Sequence, residues 1–343
     1  MAYFRGFFVV TALLALMAGC ATDGGGSGAA ATTKAATSTV RSGTGFERLV
    51  AWGNGSAEVG GTPRGTERMA EGPTAVAVGP DGAPYVLDRL NGRVLRVTSR
   101  AVETVAAVPV DSEDLAVAAD SATGVVLAAW SPVRARVWLR AGGQEVGRVT
   151  VPRVLRLARG IALVGSRQVL VRNAHQETYR LGSPAAGRTL AAVLRSKREG
   201  AFFLADGSGV QVRRRVADGR AEVLVLGAGE RTTVTRRILL DDVVMAVRLV
   251  GVAAGHLCLR LEKADNAATR GIGVRREALC LRVDDGAEVL RKALPPPGRY
   301  LPRRDLAVGG SPARLVFMHP TSAGLDLQVW ALGGATTAAG VTP

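Results

Sequence analysis

Apolar and polar residues alternate along most of this chain, and this pattern predicts β-strands. The clearest examples are Val210–Val216, Ala221–Leu226, Leu257–Leu261 and Leu325–Trp330, where every second side chain would face a core. Strands of about five to eight residues are separated by Asp-Gly, Gly-Gly, Gly-Ser or Pro turns. No segment carries a convincing helical stripe of apolar residues with a cap. The pattern therefore predicts an all-β fold.

One stretch of the chain reads as a repeat unit. Residues 72–95 contain, in order, a Pro, an Ala-Val strand, an Asp-Gly turn, a Tyr-Val strand and an Asp-x-x-Asn-x-Arg run. These landmarks resemble the NHL repeat, the blade of a class of six-bladed β-propellers. Turn carboxylates and amides in such a blade satisfy backbone N–H groups and pair with the guanidinium. The residues interpreted as structural for the blade are Asp81, Gly82, Asp88, Asn91 and Arg93.

Degenerate copies of this unit follow at intervals of about 40 to 45 residues, with one longer interval. The expected starts of the inner strands are Thr74, Asp114, Leu157, Ala201, Val244 and Arg304. The last blade lacks a fourth strand, and the unassigned segment Phe46–Trp52 can complete it, which avoids an open sheet edge. We therefore expect a six-bladed β-propeller over residues 46–333, closed by its N-terminal strand.

The N-terminal residues predict export. Residues 1–19 comprise a short basic region, an apolar run of about 13 residues and small residues at the end, which is typical of a signal peptide. The sequence Leu-Met-Ala-Gly-Cys at 16–20 resembles the lipobox of bacterial lipoproteins. The resemblance implies cleavage after Gly19 and acylation of Cys20, which would anchor the protein to a membrane. A retained membrane-spanning segment and an ordinary secretory leader are the alternatives.

The residues after the cysteine bear on location and on organisation. Ala21 follows Cys20, and in Gram-negative lipoproteins a residue other than Asp here resembles cargo sorted to the outer membrane. The expected location is therefore the outer membrane, with the periplasmic face of the inner membrane or the cell surface as alternatives. Residues 20–45 contain almost no large apolar residue, so we expect a flexible linker. Residues 334–343 are expected to form a disordered tail.

The positive net charge of the chain predicts one class of binding partner. The chain has 44 Lys and Arg against 29 Asp and Glu, a formal net charge of +15, although GC-rich codons also favour arginine. The excess predicts salt-sensitive attraction to anionic glycan or lipid. Nucleic acid is not expected, because the chain is exported and carries no stacking module. We hypothesise that arginines near the inner strands converge on one mouth of the channel. The candidate anion-binding residues are Arg156, Arg159, Arg248, Arg303 and Arg304.

Two cysteines are candidates for a disulfide. Cys258 and Cys280 lie in neighbouring strands of the fifth predicted blade. If the hairpin loop is centred near residue 269, they face each other across the strand pair, at a separation near that of a disulfide. With Cys20 acylated, they form an even pair in an oxidising compartment. We predict a Cys258–Cys280 disulfide, with two buried thiols as the alternative.

Catalytic signals are weak. The three histidines, His175, His256 and His319, have no plausible nucleophile beside them, and neither Gly-x-Ser-x-Gly nor His-Glu-x-x-His occurs. Asp114 and Asp305 occupy matched positions in two blades, so we interpret them as repeat residues rather than metal ligands. No catalytic, metal-binding or cofactor-binding residue is predicted.

These features favour a non-enzymatic function. The leading hypothesis is a cell-envelope lipoprotein whose monomeric propeller domain serves as a binding platform for an envelope protein or an anionic polymer. The alternative is a propeller enzyme of the lactonase, hydrolase or lyase type that uses the axial pocket. The two hypotheses differ in the axial mouth: an enzyme of this type needs at least three converging ligand side chains, whereas arginines and aliphatic residues favour binding.

Overall fold

The alternating segments fold into antiparallel sheets that surround a central channel, and the protein is a six-bladed β-propeller. The computed structural model describes residues 45–62, 71–155, 157–173, 177–199, 201–204, 208–228, 233–265, 273–297 and 300–333. Cys20, residues 20–44 of the expected linker, Arg156, His175 and the expected tail lie outside these ranges. Among the described residues, no helix is long and apolar enough to cross a membrane.

The first strand, β1, spans Phe46–Val50. Blade one comprises β2 (Ala75–Val78), β3 (Pro84–Asp88), β4 (Arg93–Val97) and β5 (Val102–Ala107). Blade two comprises β6 (Asp114–Asp120), β7 (Gly124–Ser131), β8 (Arg136–Ala141) and β9 (Gln144–Thr150). A single 3-10 turn, Arg153–Leu155, follows. Blade three begins with β10 (Gly160–Val164), β11 (Gln168–Arg172) and β12 (Glu177–Ser183).

The outer edge of blade three departs from the repeat. Two short strands, β13 (Ala186–Gly187) and β14 (Arg198–Glu199), pair with opposite ends of β12. Helix α1 (Leu190–Arg195) lies between them in sequence, and the Thr189 hydroxyl caps it by accepting a hydrogen bond from the Ala192 amide at 3.3 Å. Six residues are too few to produce a recognisable apolar stripe, so the sequence pattern did not predict this helix.

Blade four comprises β15 (Ala201–Phe203), β16 (Gly209–Arg214), β17 (Arg220–Leu226) and β18 (Val234–Val243). Blade five comprises β19 (Ala246–Ala253), β20 (His256–Asp265), β21 (Gly273–Arg282) and β22 (Glu288–Leu294). Blade six comprises β23 (Leu306–Gly309), β24 (Arg314–Pro320) and β25 (Leu325–Ala331), together with β1. The six innermost strands begin within three residues of the positions expected from the repeat.

Strand β1 closes the ring. It pairs antiparallel with β25, from Phe46 opposite Val329 to Val50 opposite Leu325, so blade six contains strands from both ends of the described chain. Phe46 and Val50 also pack into an apolar cluster shared by blades six and one. The sheet thus gains a fourth strand, and its core joins the last blade to the first.

Hydrophobic cores lie between successive blades rather than within them. Each of the six blade interfaces holds a cluster of buried apolar side chains, because each sheet presents both faces to its neighbours. The smallest cluster joins blades three and four and contains Leu170, Leu224 and Leu226. The core between blades two and three is larger and includes Trp130, which is fully buried, and Val193 of α1.

The landmark residues of blade one form a structural network. One carboxylate oxygen of Asp88 accepts hydrogen bonds from Asn91 Nδ2 at 2.8 Å and Arg93 Nε at 2.9 Å, and the other accepts from the Gly60 amide at 3.0 Å. Arg93 also donates to the carbonyls of Gly55 and Glu58. These side chains therefore hold the segment that connects β1 to blade one.

The first turn of blade one is held in a similar way. Asp81 accepts a hydrogen bond from the Ala83 amide at 3.1 Å and pairs with Arg96 at 2.6 Å. Gly82 has a φ of +78°, which a residue with a Cβ adopts only at a cost. Both residues serve the hairpin between β2 and β3.

The order of strands gives the propeller two distinct faces. Each blade runs outward from the axis as an up-and-down sheet, and Ala75 and Arg304 form a parallel bridge where blades one and six begin. The innermost strands therefore all start at one face, which we call the entry face, and end at the other, which we call the exit face. Connections between successive blades lie at the entry face.

Candidate functional site

The central channel of the propeller contains two cavities. A cavity of about 110 Å³ lies toward the entry face, and one of about 390 Å³ lies toward the exit face. Both are lined by the innermost strands, and Val78, Val117, Leu163 and Val308 line both cavities. The two cavities are therefore successive stretches of one axial channel.

Charged side chains gather where this channel opens at the entry face. We call this group the arginine mouth and define it as Asp114, Arg172, Arg248 and Arg304. Asp114 and Arg304 lie at or next to the start of the innermost strands of blades two and six, Arg248 lies in that of blade five, and Arg172 ends β11 of blade three. The blade architecture thus brings together residues that are 56 to 190 positions apart.

Arg304 connects three blades across this mouth. Its guanidinium donates hydrogen bonds to a carboxylate oxygen of Asp114 at 2.6 Å, the Leu115 carbonyl at 2.9 Å and the Ile161 carbonyl at 2.7 Å. Its own backbone carbonyl accepts from the Val76 amide of blade one. Arg304 is therefore a structural tie as well as a positive charge.

Asp114 is the acidic member of the mouth and is fully buried. The oxygen that pairs with Arg304 also accepts a hydrogen bond from the Ile161 amide at 2.7 Å, whereas the other oxygen has no partner in the described structure. Asp305, its counterpart in blade six, pairs instead with Arg260 at 3.2 Å and Arg276 at 3.6 Å. Asp305 thus ties blade six to the neighbouring blade five, whereas Asp114 joins blade two to the arginine of blade six, with blade one between them.

Arg172 holds a positive charge inside the channel. It pairs in register with Gly160, where a methyl group would lie 3.4 Å from Arg304 Nη2 and 3.8 Å from Arg172 Nη2. Both distances are ordinary van der Waals contacts, so the two guanidinium groups lie beside the start of β10. The only side-chain hydrogen bond that Arg172 makes in the described structure goes to the Leu249 carbonyl, at 3.3 Å, which leaves most of its guanidinium N–H donors for other partners.

The electrostatic balance at this mouth is positive. Burial is the largest influence on Arg172, and together with the charges of Arg304 and Arg248 it lowers the pKa of Arg172 to about 10; Asp114 opposes the shift. Arg172 stays protonated at neutral pH. The guanidinium groups of Arg172 and Arg304 therefore share one carboxylate in a partly enclosed space, where charges are weakly screened, and the exposed Arg248 adds a third positive charge beside them.

The five predicted anion-binding residues do not share one environment. Arg303 is ion-paired with Glu113, and Arg304 with Asp114, so neither is a free cation. Arg159 and Arg248 are exposed, and their guanidinium groups have no partner among the described residues. Arg156 lies outside the described residues. The predicted set therefore includes two residues of the arginine mouth, Arg248 and Arg304.

Sequence reasoning missed Arg172. The available signal was local: the apolar strand Gln168–Arg172 ends in a charge beside the glycine that starts β10. A glycine on an innermost strand indicates that another group approaches the backbone closely. Here the guanidiniums of Arg172 and Arg304 lie near that glycine, at ordinary van der Waals distance from the position of a Cβ.

The far mouth, at the exit face, has a different chemistry. The residues that line it are glycines, alanines, valines and leucines with Pro80 and Ser311, and none of them is charged. The channel therefore runs from a cationic opening to an aliphatic one.

The remaining candidate residues lie away from this channel. Cys258 and Cys280 face each other in β20 and β21 and form a disulfide, fully buried in the core between blades five and six. His256 Nδ1 lies 2.9 Å from the Ala254 carbonyl, and His319 stacks on Phe317. Burial lowers the pKa of His319. Within the described ranges, no three His, Cys, Asp or Glu side chains are grouped so as to hold a metal ion.

Comparison with known proteins gives similarity in structure only. No protein-family model matches the sequence, and no curated protein matches it. A chain of the nidogen–laminin complex aligns over 67% of this chain and 82% of its own, with a TM-score of 0.38 and 13% identity. Streptogramin B lyase aligns over 75% of this chain and 92% of its own, with a TM-score of 0.40 and 9% identity. An Aleuria aurantia lectin in complex with alpha-methyl-L-fucoside aligns over 78% of this chain and 96% of its own, with a TM-score of 0.41 and 12% identity.

Proposed function

We propose that this propeller is a binding domain that takes up an anionic group at its arginine mouth. The observation that carries the proposal is the surplus of positive charge around Arg172, whose pKa is lowered by burial and by two neighbouring guanidiniums. An anion placed among these groups would relieve their repulsion and use the unoccupied N–H donors. The cavity beneath them holds about 110 Å³, which suits a single carboxylate, sulfate or phosphate group projecting from a larger partner.

Binding is favoured over catalysis by the residues that line the channel. A lactonase, hydrolase or lyase of the metal-dependent type would need carboxylate, amide or imidazole groups converging on the axis. The lining of the described channel consists of arginine, Thr178 and small or aliphatic residues. The acid of the arginine mouth, Asp114, is already engaged by Arg304 and the Ile161 amide.

The test is calorimetric titration with a sulfated oligosaccharide and a neutral oligosaccharide of the same length, at low and high salt. We expect salt-sensitive binding of the sulfated sugar only, and a loss of at least tenfold in affinity for Arg172→Met. The matched control is Arg100→Met, because Arg100 is an exposed arginine in a turn at the exit face. Equal losses in both variants would point to general surface charge, and no loss in either would refute the proposed site.

We further propose that the domain belongs to a lipoprotein of the cell envelope, related to NHL-repeat propellers and located at the outer membrane. The support is the sequence at 16–20 and the landmarks of blade one. Its partner in this setting would be an envelope protein or an anionic glycan or lipid. Metabolic labelling with a palmitate analogue tests the anchor. Label should be lost in Cys20→Ser and kept in a Cys258→Ala, Cys280→Ala double variant; label that persists in Cys20→Ser would refute it.

A further inference from the structure

Exposed aliphatic side chains are concentrated on one face of the propeller. Of the thirteen large hydrophobic residues that are exposed in the described structure, nine lie at or next to the entry face. They occupy connections between blades, turns between second and third strands, or the strand ends next to these. A soluble surface carries scattered apolar residues as a matter of course, but a one-sided distribution marks an interaction surface.

Four of the nine lie on three loops that touch one another beside blade two. Val110 precedes β6, Val133 lies in the turn between β7 and β8, and Val154 and Leu157 precede β10. Their exposed fractions are 61%, 76%, 65% and 83% respectively. We call the described residues of these loops, 108–113, 132–135, 151–155 and 157–159, the three-loop patch.

Specific contacts hold these loops together. The Asp111 carboxylate accepts hydrogen bonds from Arg134 Nε at 3.0 Å and from the Ser131 hydroxyl at 2.8 Å, which joins the first two loops. The Val151 amide donates to the Ala135 carbonyl at 2.8 Å, which joins the second loop to the third. The aliphatic side chains therefore project from a fixed platform.

The exposed residues are not needed for the core beneath them. In the third loop, Leu155 and Ala158 are buried and supply the packing under blade three. Val154 and Leu157 alternate with them and face outward. A polar residue at either position would keep the same internal packing. The stability of the fold therefore does not explain why these two exposed residues are apolar.

The charge of the third loop indicates the chemical class of the partner that would bind it. Residues 151–160 read Val-Pro-Arg-Val-Leu-Arg-Leu-Ala-Arg-Gly, with three arginines and no acidic residue. Arg153 and Arg159 are exposed and have no ion pair in the described structure. Aliphatic tips flanked by arginines suit the interface of a membrane, where the tips enter the acyl boundary and the guanidiniums meet anionic headgroups.

A lipid surface fits this arrangement better than a protein partner. A protein interface needs a continuous apolar centre that excludes water, with polar groups at the rim. Here the apolar groups stand on separate loop tips, and those of the third loop alternate in sequence with arginines, so a rigid partner would need a pocket for each one. A fluid bilayer accommodates separate tips without such pockets. We propose that the three-loop patch docks the propeller onto a membrane surface that contains anionic lipid, independently of acylation at Cys20.

The test is flotation with vesicles. Residues 1–20 are replaced by a cleavable secretory leader, so that the product has no acyl chain and keeps every described residue, including the β1–β25 closure. Vesicles contain phosphatidylcholine alone or with about one third phosphatidylglycerol. We expect binding to the anionic vesicles only, reduced at least fivefold by Val154→Ser with Leu157→Ser and by Arg153→Gln with Arg159→Gln.

Matched controls separate this patch from other causes. Leu190→Ser with Leu194→Ser removes two exposed leucines of α1, outside the patch, and should bind like the unmodified protein. Arg172→Met should also bind normally, and a loss there with none in the patch variants would assign the lipid headgroup to the arginine mouth instead. Thermal unfolding of each variant confirms that it is folded.

A spectroscopic readout supports the flotation result. Leu157→Cys, labelled with an environment-sensitive fluorophore, should show a blue shift on anionic vesicles, because Cys258 and Cys280 are engaged in the disulfide and only the new thiol reacts. The proposal would be overturned if the unmodified protein failed to bind anionic vesicles, if the patch variants bound equally well, or if the fluorophore spectrum did not change.

Discussion

The two mouths of the channel are built from the same six strands and yet differ in chemistry. At the entry face Arg304 crosses from blade six to blades two and three, and Arg172 adds a charge inside the channel. At the exit face the same strands end in small and aliphatic residues. The comparison teaches that the repeat supplies the position of each lining residue, whereas its chemistry is free to vary from blade to blade.

The two mouths also differ in how they are stabilised. The far mouth depends on packing alone, which tolerates exchange among aliphatic residues of similar volume. The arginine mouth depends on a buried carboxylate that requires its partner, because an unpaired buried charge is strongly destabilising. Substitutions at the two ends should therefore have different and predictable costs.

The largest effect is expected for Arg304→Met. It removes hydrogen bonds to blades two and three and leaves the fully buried Asp114 without its cation, so we expect a loss of about 3 kcal/mol in the free energy of unfolding. Urea denaturation measures it. Arg303→Met is the control: its partner Glu113 is partly exposed, and the cost should stay below about 1 kcal/mol. Equal costs would contradict the distinction between a structural tie and a surface pair.

A charge placed at the far mouth should cost less, but clearly more than a neutral change. Val252→Arg introduces an unpaired cation among aliphatic side chains, and we expect a loss of about 2 kcal/mol. Val252→Met is the neutral comparison, with an expected loss near or below 1 kcal/mol. If arginine were tolerated as well as methionine, the exit face would be open enough to hydrate a charge, and the contrast between the mouths would be weaker than described.

Arg172→Met should have a small effect of opposite sign. The substitution removes a charge whose burial and like-charged neighbours are unfavourable, so we expect stability to be unchanged or raised by about 1 kcal/mol. For a domain of this size that corresponds to an increase of about 2 °C in the melting temperature. Scanning calorimetry measures the shift. A marked decrease would mean that Arg172 supports the fold as Arg304 does.

The smallest effect is expected from pH within the neutral range. Arg172 carries its charge below its pKa of about 10, and Arg304 and Arg248 are the neighbours that lower this pKa against the opposing influence of Asp114. Anion affinity should therefore be constant between about pH 6 and 8.5 and fall as pH rises through about 10. Calorimetric titration across this range tests the expectation. A decrease between pH 6 and 8 would indicate a histidine at the site.

Much of the fold could be predicted from local sequence. Alternation and Asp-Gly turns are short-range properties, and they located the innermost strands within three residues. The symmetry of one long hairpin placed Cys258 opposite Cys280, and the missing fourth strand pointed to the segment that forms β1. The network around Asp88 was equally readable, because all three of its side chains lie in one turn.

The site could be predicted only in part, because its contacts are made between blades. Arg303 and Arg304 are adjacent in sequence, but one pairs with Glu113 and the other enters the mouth, nearly 200 residues from its partner Asp114. Arg172 meets Leu249 across the axis, 77 residues away. No local pattern specifies which side chain reaches which blade, so such contacts become visible only once the ring is assembled.

The pairing of β1 with β25 has a consequence for biosynthesis. A ribosome that has made Phe46–Val50 must add about 275 residues before the partner Leu325–Val329 exists, which at ~5–20 residues per second takes roughly 14–55 s. Throughout that interval β1 lacks its partner strand. A chain released before β25 is synthesised could not form this pairing at all. Truncated products should therefore expose an unpaired strand edge that chaperones and proteases can recognise. Only a fully translated chain can close the propeller.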